Sequence, residues 1–194
     1  MLRTRYIKTE AEPSLKGSVL TFFDLETNGL ELTTPILEIA GLRIGYDDLM
    51  RGLETAVEFH SLIRFTGRIS ESAYAVHKID SVMLCEKGRD FLSVLKDFSA
   101  FAQGTILVGH NIIQFDLPIL SHHCTQMGIL LKSKGVLDTC IMARERLQLP
   151  SYRLSVIAEY FKVKRRPTHR SLDDVRATAE IFAHIMRDGE KGCG

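Results

Sequence analysis

Ser18-Val19-Leu20-Thr21-Phe22-Phe23-Asp24-Leu25-Glu26-Thr27-Asn28-Gly29-Leu30 is the stretch on which the fold turns. Residues 18–23 are apolar and β-prone, and a short run of that kind suits a buried central strand. Asn28-Gly29 then marks a turn. Asp24 and Glu26 fall between the two, at the end of the strand. Residues i and i+2 of a strand point to the same face, so the two carboxylates share one. Like charges beside a hydrophobic sheet resist burial, and a proton or a cation must neutralise them. A strand end that turns polar on entering a turn is the competing structural explanation. An Asp-x-Glu pair alone does not separate the two.

Two further strands read from Pro35 to Ile44 and from Thr55 to Ile63, joined by the polar stretch 45–52. Three strands in succession without a helix between them predict an antiparallel meander. The period then changes: Phe91-Leu92, Leu95, Phe98 and Phe101-Ala102 recur at helical spacing. Gly104 ends that helix, and residues 105–108 form a short strand. A helix is expected from Asp116 to Met127 with Pro118 in its first turn, and another follows Asp138. The last helix spans Leu172 to Met186, with Leu172, Val175, Ala179, Phe182 and Met186 on one stripe. This βββαβαα order, a mixed sheet covered by helices, is one α/β domain.

A length of 194 residues agrees with one domain, and 45% hydrophobic residues suffice for a sizeable core. The net charge of +1 excludes a strongly basic, non-specific nucleic-acid binder but leaves room for a local basic groove. Cys85, Cys124, Cys140 and Cys193 form no CxxC pair and read as reduced thiols in an intracellular, reducing compartment, the cytoplasm before the nucleus or an organelle. Residues 1–16 read as a flexible leader without the apolar core of a secretory signal, and Glu10 and Glu12 argue against an organellar presequence. No apolar run is long enough to span a membrane.

Two more acids and a histidine complete the candidate set. Asp116 begins the helix that follows the strand 105–108, with His110 and Asn111 between them. Asp is a favoured N-cap, so a capping role competes here. The carboxyl end of a strand in an open α/β sheet is also where ligands bind. Ser171-Leu172-Asp173-Asp174 fits a capping box with Ser171 as N-cap, and His169 stands just ahead of it.

Taken jointly, these segments resemble a family: the DEDD-type 3′→5′ exonucleases of the ribonuclease H-like fold, in their histidine-containing (DEDDh, DnaQ-like) branch. The first motif is similar to Asp24-Leu25-Glu26-Thr27-Asn28-Gly29-Leu30, the second to Gly109-His110-Asn111 through Phe115-Asp116. The third is His169, four residues, then Asp174; Asp173 lies one position short. Val76-His77-Lys78-Ile79-Asp80 resembles the family's His-Gly-Ile-Thr. The likeness covers residues 17–187, which it marks as an exonuclease domain between the leader and a tail at 188–194. It implies a ribonuclease H-like mixed five-stranded sheet flanked by helices. It also implies that Asp24, Glu26, Asp116 and Asp174 hold two divalent cations, Mg²⁺ or Mn²⁺, with His169 as general base. Thr27, Leu30, His77 and Asn111 would bind the 3′ end of single-stranded DNA or RNA. Two departures stand out. Asn28 occupies a position where threonine is frequent, which is expected to change little. Lys78 and Asp80 replace glycine and threonine, which bears on how the loop after His77 meets the substrate. Protein partners and oligomeric state are not legible. A catalytically silent nucleic-acid-binding or polymerase-associated module on the same fold is the alternative, and loss of one of the five site residues would favour it.

Other signals carry less. Lys162-Val163-Lys164-Arg165-Arg166 leads into the third motif and could meet substrate phosphates. His122-His123-Cys124 suggests zinc only superficially, because adjacent helix residues point about 100° apart. Met83, Met127, Met142 and Met186 read as core filler, and Asp138 as a helix N-cap.

Overall fold

The computed structural model describes residues 15–164, 167–168 and 170–191. Five strands form one sheet: β1 (Val19–Thr27), β2 (Ile36–Gly45), β3 (Val57–Leu62), β4 (Ile106–Gly109) and β5 (Gly135–Asp138), in the spatial order β3-β2-β1-β4-β5. β1, β2 and β3 are the expected antiparallel meander, while β4 joins β1 and β5 joins β4 in parallel. The helices are α1 (Tyr46–Leu49), α2 (Glu71–His77), α3 (Ser81–Lys87), α4 (Phe91–Ala102), α5 (Asp116–Gln126), α6 (Thr139–Arg146), α7 (Leu154–Tyr160) and α8 (Ser171–Lys191). No helix among the described residues is long and apolar enough to cross a membrane.

The period of two along β1 divides the core. Leu20 and Phe22 join Val175, Ala179 and Phe182 of α8 on one face, and Phe22 meets Phe182 edge to face at 5.5 Å. Phe23 and Leu25 join Val94, Leu95, Phe98, Ile119 and Leu120 of α4 and α5 on the other. Asp24 and Glu26 continue the Leu20–Phe22 side by that alternation, so they emerge under the start of α8. The stripe expected on the last helix is the buried one, with Leu172 partly buried at its start. Leu15, within the segment read as leader, is buried in the same cluster.

Four helices and one strand are absent from the sequence reading, α1 among them with only four residues in the stretch read as a polar connection. α2 and α3 have seven residues each, with Ser70 and Asp80 as N-caps, and too few buried positions to show a period. α7 is equally short, and β5 has only four residues. Ser171 is a correction. Its hydroxyl is buried without a hydrogen bond, and its amide donates to Glu38, so it does not act as the N-cap of a capping box.

Candidate active site

Three elements converge at the carboxyl end of β1. Oxygens of Asp24, Glu26 and Asp174 lie within 4.8 Å of one another. Asp173, the neighbour, is not in that group; its carboxylate faces outward to Thr168 Oγ1 at 2.8 Å and to Arg176 at 3.5 Å. Asp174→Ala is therefore expected to abolish detectable turnover and Asp173→Ala to change it less than about ten-fold, since positions one apart on a helix diverge by about 100°. Steady-state rates on one oligonucleotide decide this, and equal losses would overturn it.

Asp116 is the first residue of α5, but its carboxylate caps no turn beyond its own amide. Oδ1 instead accepts from the amide of Leu25 at 3.0 Å, the residue between Asp24 and Glu26. The capping explanation therefore fails for Asp116, and β1 holds this carboxylate directly. Gly109 sets up the approach. A Cβ there would lie 2.1 Å from Ile112 Cγ2 and 2.9 Å from the Phe23 carbonyl, so only glycine lets the loop 110–115 double back onto β1.

Clustering shows in the ionisation of the acids. Burial pushes Asp24 well above the ordinary carboxylate range, reinforced by Asp116, Glu26, Asp174 and Glu38. Burial, then Asp174, Glu38 and Asp116, raise Glu26 to about 8, with Arg170 opposing. Asp116 is raised to about 7 by burial, against the lowering effect of the Leu25 amide. Beneath them lies Glu38 on β2, opposite Glu26 in the register and fully buried. Burial raises its pKa, but hydrogen bonds from His60, Arg170 and the Ser171 amide outweigh that and hold it at about 2. Those bonds measure 2.8, 2.8 and 3.1 Å and moor the start of α8 to the sheet. Sequence reading passed over Glu38, because a single glutamate in an apolar strand carries no motif.

The remaining candidates fall as follows. Thr27 is buried, and its hydroxyl donates to the Gly29 carbonyl at 2.7 Å. Leu30 projects from the turn, 80% exposed. Asn111 stands on the groove wall in the left-handed region, φ 61°, its amide held by Asp138 Oδ1 at 2.9 Å. Asp138 caps α6 as expected, and also accepts from the Ile113 amide at 3.1 Å. His77 is buried, and its Nδ1 accepts from the Ile79 amide at 2.9 Å. Burial lowers its pKa, with Glu38 and the Thr27 carbonyl opposing, which favours the neutral ring. His169 lies outside the described residues, as do Arg165 and Arg166 of the basic run.

Asn28 is engaged through both ends of its side-chain amide. Its side chain donates to the Arg68 carbonyl at 3.0 Å and accepts from the Ser70 amide at 2.8 Å, tying the β1 turn to the start of α2. Asp80 caps α3 through the Met83 amide at 2.8 Å, a task threonine can also perform. Lys78 ends α2 at φ 58°, a conformation that glycine adopts freely and other residues at a cost. Lys78→Gly is expected to raise stability by about 0.5–1 kcal/mol, read as an increase in the urea midpoint. A decrease would show that the lysine side chain, 5.5 Å over the Tyr74 ring, matters more than its backbone. The His122–Cys124 run does not converge on a common point: His123 Nε2 binds the Thr34 carbonyl, and burial pushes the Cys124 thiol up to about 11.

A mixed sheet of this order, with acids at the end of its first strand and on the flanking helices, is the ribonuclease H-like fold. Residues 21–182 match the model of the RNase T family, described as exonuclease, and the chain belongs to that family. It is 30% identical over 178 residues to DNA polymerase III subunit epsilon of Treponema pallidum, covering 90% of this chain and 79% of that one. It is 33% identical over 183 residues to DNA polymerase III PolC-type of Caldanaerobacter subterraneus subsp. tengcongensis, covering 91% of this chain but only 12% of the much longer polymerase. Among solved structures, E. coli exonuclease I in complex with a dA16 oligonucleotide superposes with a TM-score of 0.76 at 16% identity, over 90% of this chain and 42% of that one. Exonuclease X in complex with 5′ overhanging duplex DNA superposes with a TM-score of 0.65 at 24% identity, over 88% and 93%. At these identities the superpositions speak for the fold.

Proposed function

We infer that the chain removes nucleotides from the 3′ end of single-stranded DNA or RNA by metal-dependent hydrolysis. The observation that carries this reading is the convergence of Asp24, Glu26 and Asp174 within 4.8 Å, with Asp116 held to the backbone between the first two. A donor set of carboxylate oxygen alone, without nitrogen or sulfur, fits hard divalent cations such as Mg²⁺ or Mn²⁺. Burial and mutual repulsion disfavour the ionised forms of Asp24 and Glu26, a cost that a bound cation would offset. Asp24, Glu26, Asp116 and Asp174 would hold two ions. When bound, they supply Lewis acidity and charge neutralisation at the phosphate. Thr27, Leu30 and Asn111, of which Asn111 lines the groove beside the acids, would orient the terminal nucleotide. Buried His77 would act from beneath, by fixing the loop after α2.

His169, in its neutral form, would take the proton of the attacking water. The residues on either side of it are anchored near the acids. Thr168 donates its amide to Asp174 at 2.9 Å, and Arg170 pairs with Glu38. His169→Ala is expected to lower turnover by about 10²–10⁴-fold and to flatten the rise of activity with pH through the histidine's range, while Mn²⁺ binding persists. An unchanged pH profile, or lost Mn²⁺ binding, would count against it. The function itself is tested with 5′-end-labelled single-stranded DNA and RNA, each with Mg²⁺, Mn²⁺ or chelator. A metal-dependent ladder shortening one nucleotide at a time supports the reading. Immediate release of the labelled nucleotide, or no cleavage, overturns it. We place the chain in a reducing intracellular compartment, in keeping with its free Cys85, Cys124 and Cys140.

A further inference from the structure

We propose that Arg144, Tyr152 and Arg153 form a second, cationic wall of the active-site groove that grips the phosphate backbone of the substrate strand next to the scissile linkage. The proposal rests on the nuclease reading above and names a part of the site that the motifs do not contain. The groove holds about 800 Å³, and its lining includes both the acids and these three residues. Bound cations would neutralise the acids at the scissile phosphate alone, so attraction for the neighbouring phosphates has to come from cationic side chains in the groove. Net charge cannot supply it, because the chain as a whole carries only +1.

Arginine bookkeeping over the described residues singles out the wall. Arg51, Arg68, Arg89, Arg170 and Arg176 pair with carboxylates. Arg43, Arg146 and Arg187 donate to backbone carbonyls. Arg64, Arg144 and Arg153 alone have neither kind of side-chain partner among the described residues, and two of those three line the groove.

The wall is also built rigidly. The Arg144 guanidinium lies 4.8 Å over the Tyr152 ring, which fixes its direction while leaving its N–H groups open to phosphate oxygens. Tyr152 is held at both ends: its hydroxyl donates to the Leu147 carbonyl at 2.7 Å, and its carbonyl meets His110 Nε2 at 2.9 Å. The other nitrogen of His110 contacts Thr139 Oγ1 at 3.0 Å. His110, adjoining β4, is therefore a strut that sets the distance between this wall and the acids. The groove shares Ser155 and Pro167 with a neighbouring hollow of about 520 Å³, which carries exposed Lys162 beside exposed Glu159 and so adds no net charge to the wall.

The test is the salt dependence of binding to a fluorescent single-stranded oligonucleotide with Ca²⁺ in place of Mg²⁺, alongside steady-state cleavage in Mg²⁺. Each phosphate contact to a single strand adds about 0.7 to the slope of log K against log salt. Arg144→Gln and Arg153→Gln are each expected to reduce the slope by about 0.7. Near 0.1 M salt that corresponds to roughly five-fold weaker binding, independent of base sequence. Arg153→Lys, which keeps the charge, should keep the slope. Tyr152→Leu, which frees Arg144, should weaken binding without reducing the slope. Unchanged slopes in both glutamine variants, while wild-type protein cuts the strand, would overturn the wall and spare the nuclease reading. A wild-type protein that neither binds nor cuts the strand would overturn both. Melting curves of each variant separate a binding loss from a folding loss.

Discussion

Asp24→Asn is expected to reduce turnover on the order of 10³-fold or more and, without divalent cations, to raise the melting temperature. The two effects have one origin. Metal-held charge at a phosphoryl centre stabilises the transition state by several kcal/mol, and each 1.36 kcal/mol is a factor of ten. An amide offers weaker ligation and no compensating charge, so the rate falls. In the metal-free chain the same carboxylate is a liability, because Asp116, Glu26, Asp174 and Glu38 all act to disfavour its ionisation. The sign of the pH dependence follows. A carboxyl with a raised folded-state pKa keeps its proton where the unfolded chain has lost it. Its contribution to stability therefore declines as pH rises above the ordinary carboxylate value, about 4, and levels off above the folded value. For Glu26 and Asp116 those upper limits are about 8 and about 7. Melting of the metal-free wild type should decline from pH 5 to pH 8, and Mn²⁺ should restore most at pH 8. Asp24→Asn should flatten both trends. Near wild-type turnover with contaminating nuclease excluded, or a metal-free melting temperature that rises with pH, would refute this account of the cluster.

Glu38→Ala should be the most destabilising single substitution near the site, by about 3 kcal/mol, the lower end for breaking a buried ion pair. The lower end applies because the Arg170 side chain, 37% exposed, regains part of its hydration. The loss leaves Arg170, His60 and the Ser171 amide without their shared acceptor. Glu38→Gln retains an acceptor oxygen and should lose less. Here the sign is opposite to that of the cluster above. The folded pKa is depressed to about 2, so the stabilisation is complete above the unfolded value and fades as pH falls towards 2. The gap between wild type and Glu38→Ala in urea midpoints should thus narrow between pH 5 and pH 3. A loss below about 1 kcal/mol at pH 7 would show that the start of α8 is held by its apolar stripe alone. Because α8 carries Asp174, the variant should also lose activity.

Much of the site could be read along the chain because its parts are locally encoded. A period of two puts Asp24 and Glu26 on the side of Leu20 and Phe22. A period of 3.6 faces Val175, Ala179 and Phe182 to the sheet and thereby aims the first turn of α8. The spacing from His169 separated Asp174 from Asp173, and the carboxylate of Asp174 joins the cluster. Helices of four to seven residues escaped because they repeat too few times to show a period, and β5 escaped although the equally short β4 was legible from the helix and Gly104 ahead of it.

What the chain settled by itself was which strands and helices would carry the acids and which faces they would present, since periodicity and turn residues act over a few positions. The tertiary structure alone decided what each carboxylate does. Asp116 looked like a cap, yet it binds an amide 91 positions away, and Glu38 meets Arg170 across 132. Arg144, Tyr152 and Arg153 became one wall only when His110 joined the loop before α7 to the strand beside the acids. Hydrogen bonds and ion pairs of that reach depend on where the sheet and helices stop in space, which no local pattern records.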